Sequence, residues 1–399
     1  MVASPSLFTA PHRLLFLTGA SQLAAVLAWW SAVLLDLLGL GPSLPQPTPA
    51  FLLHAPILLF LVLPPFFFGF LLTVFPRWLG FPDATRPVYL PIAIAFASSA
   101  VALWSGLFGL VPQGILAAFL LAAAGWLWAL ACMLRLVIRE QAAGRPTTWH
   151  AWSILTAITI GLACMVLAGT AIGALDPLPV HIANLIGLDL FVLPVFVTVC
   201  HRMIPFFAGN VVEDYARWRP FWVLWCFWGA SIAGATGFAL SLPMLAAAGK
   251  AGCAGTTGLM LWKWWPRGPA PGLLRVLLIG FAWAPAASAV AAWSAQFPAG
   301  SGRGAIHLLT IGLACSLIIA MVTRVTQGHS GRPLIMPGVA WLAFAAVQLA
   351  AALRLIAATN GEQASLLALA AAILAAGLVP WAARSVWIYL RPRRDGKRG

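Results

Sequence analysis

Twelve apolar runs, each about long enough to cross a bilayer, take up most of this chain. They fall near residues 14–40, 51–75, 88–110, 114–138, 153–175, 180–205, 220–241, 244–265, 273–297, 304–325, 337–357 and 364–383. A hydrocarbon core of ~30 Å requires ~20 apolar residues in a helix. The runs are continuously apolar and do not alternate, which favours helices over barrel strands. Only 8% of the 399 residues are charged, against roughly 25% in soluble domains, so most of the chain cannot face water. The expectation is an all-α membrane protein of about twelve transmembrane helices, a single polytopic domain over residues 1–399. The seventh and eighth runs, parted only around Pro243, are the least distinct pair.

Basic residues then set the orientation. Of 23 Lys and Arg, 20 cluster near Arg13, Arg77–Arg86, Arg135–Arg145, Arg202–Arg219, Lys263–Arg275, Arg324–Arg332 and the tail from Arg384. All seven places lie on one side of a twelve-span arrangement. The other side has Arg303 alone in a loop, with Lys250 and Arg354 in or near helices on that half. Cytoplasmic loops retain positive charge, so both termini are expected in the cytoplasm. The net charge of +14 therefore needs no nucleic-acid partner; the bilayer accounts for it.

The first run is too long for the core of a cleavable signal and carries Trp29, Trp30 and Asp36, so it reads as a permanent span. The six cysteines all fall within predicted helices and form no C-x-x-C pair, which suits membrane packing better than a disulfide or zinc framework. No C-x-x-C-H occurs, so covalent c-type haem is not expected.

A pattern repeats every fourth helix. Helices 2, 6 and 10 each carry a histidine in the first turn: His54, His181 and His307, at intervals of 127 and 126 residues. Each ends with an arginine four places after a small residue: Thr73 to Arg77, Thr198 to Arg202, Ala320 to Arg324. Three four-helix units follow, at approximately 14–138, 153–265 and 273–383. The arginines read best as snorkelling to headgroups. The histidines have two readings, interfacial hydrogen bonding or binding a metal or haem, and the cost of an ionisable group in the membrane favours the second. Asp189 and Lys250 lie at similar depth, as a buried ion pair or part of a proton path. Asp36 and Arg354, near helix ends, read as snorkelling residues.

Gly69-Phe-Leu-Leu-Thr-Val-Phe-Pro-Arg-Trp78, His201-Arg-Met-Ile-Pro-Phe-Phe207 and the stretch from His307 through Thr323-Arg-Val-Thr-Gln-Gly-His-Ser-Gly-Arg-Pro-Leu334 resemble the NnrS family. Gly69, Thr73, Arg202, Pro205, Arg324, Gly328, His329, Gly331 and Arg332 are the motif positions. The resemblance covers essentially the whole chain. It implies a twelve-span bacterial inner-membrane protein with haem and copper, linked to denitrification and nitric oxide. One departure stands out. Where the family usually shows His-Ala-His-Glu-Met, this chain has His54-Ala-Pro-Ile-Leu58. Pro56 and Ile57 remove a ligand and a carboxylate, so haem b is expected without stoichiometric copper.

Helices in fours with histidines on helices 2 and 10 are also similar to the haem–copper oxidase core subunit. By that fold-level analogy, His54 and His307 are axial haem ligands; the repeat makes His181 the reserve ligand, and Arg303, the only basic residue in an outer loop, is placed to meet the propionates. Helix 7 has no histidine, which counts against an oxygen reductase. A haem there would sense, bind or turn over a small diatomic gas, and the sequence does not choose among these; if the chain is an enzyme, it is a haem-dependent oxidoreductase, with its redox partner open. A secondary transporter and a non-catalytic assembly subunit are the other readings. The Gly328–Arg332 loop is either an anion or lipid-phosphate cradle or a plain turn.

Overall fold

A computed structural model describes residues 6–297 and 302–396. It contains twelve long helices and, among the described residues, no strand. They are α1 (Pro11–Leu37), α2 (Ala50–Trp78), α3 (Arg86–Leu107), α4 (Gly114–Ala142), α5 (Trp149–Gly173) and α6 (Pro177–Ala208). Then come α7 (Phe221–Ala239), α8 (Pro243–Trp264), α9 (Gly272–Gln296), α10 (Gly302–His329), α11 (Gly338–Thr359) and α12 (Ala364–Tyr389). Eleven are long and apolar enough to span a bilayer, and the protein is an all-α, multi-pass membrane protein. The exception is α8, whose glycines, threonines and Lys250 dilute its hydropathy.

That weak helix is held by its neighbours. The α7–α8 turn passes through Ser241 at φ +54°, which separates the two helices at the Pro243 boundary. Their backbones then pack closely. A Cβ added at Gly249 would lie 2.2 Å from the Gly234 nitrogen, the small-residue contact that draws helices together in membranes. Lys250 also reaches the Asp189 carboxylate of α6, so the two intramembrane charges are partners.

Three helices form the inner layer. The apolar windows of α2, α6 and α10 are 89%, 72% and 72% buried, against 39–56% for the other eight spans. α1 packs on both α2 and α12, so first and last helices are neighbours. Arg13 donates to the Arg391 carbonyl at 3.0 Å, which puts both termini at one end of the bundle, here called the terminal end. α1 ends at Leu37 rather than near residue 40, because Gly39 turns left-handed at φ +67° and its N–H caps the Asp36 carbonyl.

The inner helices share a departure from α geometry. Each contains a π-helical segment: Ile57–Val62 in α2, Leu188–Val192 in α6 and Leu308–Cys315 in α10. Proline explains two of them. Pro64 and Pro65 cannot donate to the Phe60 and Leu61 carbonyls, nor Pro194 to that of Leu190, so the ladder re-registers just upstream. In α10 no proline is present; Gly312 lies within the segment, with the Trp283 ring packed where a Cβ would stand.

Candidate functional site

At the distal end, away from the termini, His54 opens α2 and His307 opens α10. The Trp30 ring of α1 stacks on His54, with centroids 3.8 Å apart and planes 20° off parallel. Stacking covers the face of an imidazole and leaves its in-plane lone pair free. His54 Nδ1 is buried and has no hydrogen-bond partner. His307 Nδ1 lies 2.7 Å from the Arg303 carbonyl, one turn back, and 3.3 Å from Arg354 Nη2. One ring nitrogen cannot donate to the first and accept from the second. The shorter contact assigns the proton to Nδ1, which leaves Nε2 as the basic nitrogen.

Arg354 of α11 corrects the sequence reading. It does not snorkel. It is 9% exposed, pairs with Glu362 at 3.2 Å and borders His307. Arg303 is exposed, and its main-chain carbonyl touches the site. His181 is exposed against Phe238 of α7, 6.1 Å between ring centroids. Among the described residues no contact joins it to His54 or His307, and no three His, Cys, Asp or Glu side chains converge as a metal cluster.

Two further histidine pairs occupy the terminal end. His12 and His329 approach to 4.4 Å between centroids, and His12 Nδ1 is 3.5 Å from the Thr73 hydroxyl. His150 of α5 and His201 of α6, both within the core, form a directed chain. The Pro220 carbonyl can only accept, so His201 Nε2 donates to it at 3.2 Å. His201 Nδ1 must then accept from His150 Nε2 at 2.9 Å, and His150 Nδ1 from the Thr148 hydroxyl at 3.2 Å. Every ring nitrogen is used by two neutral imidazoles. The partners come from helices 51 residues apart, and only the His201-Arg202 motif marked one of them in the sequence.

The motif arginines are not free in the headgroups. Arg202 lies over the Trp78 ring at 4.9 Å and Arg324 over the Phe207 ring at 3.8 Å, so α6 latches to α2 and α10 to α6 through cation–π contacts. Arg77 instead pairs with Asp83 through two hydrogen bonds, of 2.6 and 2.8 Å; those bonds hold the Asp83 carboxyl below its ordinary range. Gly69 meets a steric need, since a Cβ there would come 2.6 Å from the Phe16 ring of α1, and its carbonyl accepts from Thr73. Pro205 is buried near the end of α6. Beyond Gly328, His329 closes α10 and Gly331 turns at φ +68°. The Asp395 carboxylate sits where a Gly331 side chain would be, and Arg332 lies over Trp387. The concavity of this turn is thus filled by the chain's own carboxylate.

This is a polytopic helical membrane protein with a three-helix core, two histidine pairs at the terminal end and His54 and His307 at the distal end. The chain matches the family described as NnrS protein over residues 6–393, and it belongs to that family. No curated protein matches it.

Proposed function

We propose that this protein binds haem b between His54 and His307 and serves in the response to nitric oxide or nitrogen-oxide stress. The observation that carries the reading is the unpartnered, buried His54 Nδ1, on an inner helix at the same end as His307. An imidazole nitrogen with no hydrogen-bond partner, at the same end as a second imidazole whose Nε2 is left basic, suits a metal-bearing ligand. Arg354 and Arg303 are the basic groups at hand for propionates, and His181 is the reserve ligand. Haem supplies an iron that binds diatomic gases and exchanges electrons. The chain's part is to hold two neutral imidazoles in one layer and to keep water away through Trp30 and the surrounding apolar side chains. Copper at haem stoichiometry is not part of the proposal, because Pro56 and Ile57 stand where the family has His and Glu.

The remaining expectations belong to the same reading: three four-helix units, a bacterial inner-membrane location and both termini cytoplasmic. Transport is the weaker reading. Phe, Leu and Val side chains, not polar groups, line the space between α2, α6 and α10. The test is the visible spectrum of purified protein with elemental analysis. A Soret band with iron and without equimolar copper is expected. A colourless, folded preparation favours transport or scaffolding, and equimolar copper shows that the missing His-Glu pair was not decisive.

A further inference from the structure

The inner helices line a partly open cavity of about 40 Å³. Its wall is assembled in register. Val195 and Phe196 of α6 line it together with Leu317 and Ile318 of α10, 122 residues later, and Phe70 and Leu71 of α2, 125 residues earlier. The same offsets relate Arg77, Arg202 and Arg324. Phe16 of α1 closes one side. All lining residues are apolar, apart from the weakly polar thiol of Cys200.

Water has little to hold it there. A buried water needs two to four polar partners, and apolar cavities of comparable kind stay dry. Hydroxyls that neighbour the lining in sequence have protein partners: Ser316 accepts from Gln348 Nε2 at 2.8 Å. Thr73 donates to the Gly69 carbonyl at 2.8 Å, Thr198 pairs with Ser153 at 2.6 Å, and Thr323 accepts from Trp381 Nε1 at 3.0 Å. The space exceeds the ~10–15 Å³ that one water-sized probe needs, so one small uncharged molecule fits without displacing protein. The cavity lies ten residues or more beyond His307 along α10, about 15 Å at ~1.5 Å per residue, and is separate from the histidine layer.

We propose that this cavity is a binding site for one small apolar gas molecule, taken up from the bilayer, in which such gases dissolve. The site does not depend on haem being present. Its shape and chemistry come from α1, α2, α6 and α10 alone.

Xenon is the probe, since it reports apolar gas sites without chemistry. Crystals of the full-length protein pressurised with xenon should show one xenon between Phe70, Val195 and Leu317. Val199→Phe, which adds a ring to the wall, should abolish that peak, and the milder Val199→Ile should reduce its occupancy at least twofold. Ordered water in the cavity of the wild-type crystal, or no xenon there under pressure, overturns the proposal. Undiminished xenon at the same place in a folded Val199→Phe protein also overturns it.

Discussion

The Pro220 carbonyl, by accepting from His201, fixes the tautomers of two buried imidazoles and ties three segments together: the start of α5, the middle of the terminal half of α6 and the residue before α7. Removing one ring leaves the other with an unpaired buried nitrogen, which costs about 1–3 kcal/mol beyond lost packing. His150→Ala and His201→Ala should each lower the thermal midpoint, and the double variant should lose clearly less than the sum of the two. Thermal melts of the four proteins test this. Additive losses would mean that the 2.9 Å contact carries no coupling. At this scale the sequence was partly legible. His54 and His307 stood out because they recur in the first turn of every fourth helix. The His12–His329 and His150–His201 pairs did not, since each joins helices far apart in sequence and pairing depends on packing rather than spacing. Arg354 was misread for the same reason: helical position suggested a headgroup, while Glu362, across the next turn, supplies a half-buried partner.

Among the elements, α8 is the one whose place in the membrane needs explaining. It is less apolar than the other eleven, and it is held by its contacts with α7 and by the Lys250–Asp189 pair. Both side chains are mostly buried, 18% and 10% exposed. Breaking such a pair by removing one partner typically costs about 3–5 kcal/mol, because a buried charge is left alone. Lys250→Met should therefore destabilise the protein strongly, and Asp189→Leu in the same chain should restore most of the loss. Denaturation in detergent compares the three proteins; a double variant no better than Lys250→Met alone would contradict the ion-pair account. The twelve helices themselves were legible, because each apolar run is bounded by Pro, Gly or charge. The π segments were not readable as such. Pro64, Pro65 and Pro194 marked breaks in α2 and α6, but nothing in the sequence of α10 announced its longer segment.

For the whole molecule, the organising fact is an inner layer of three helices joined at the terminal end by Arg202 on Trp78 and Arg324 on Phe207, with histidines at both ends. The proposed orientation rests on 18 of the 21 described basic residues lying at the terminal end. Reporter fusions after Asp83, Gly144 and Gly268 should be cytoplasmic, and those after Pro49, Asp176 and Glu362 periplasmic. Reversal at two or more of these sites would invert the topology and move the proposed haem layer to the cytoplasmic face.

The central claim is that His54 and His307 hold the haem, and haem content per protein in three alanine variants tests it most directly. His54→Ala and His307→Ala should each lose most of the haem while inserting into the membrane at wild-type levels, since insertion depends on the apolar runs. His329→Ala, at the opposite end of α10, should keep the wild-type spectrum. Wild-type haem content and spectrum in both His54→Ala and His307→Ala would contradict the account.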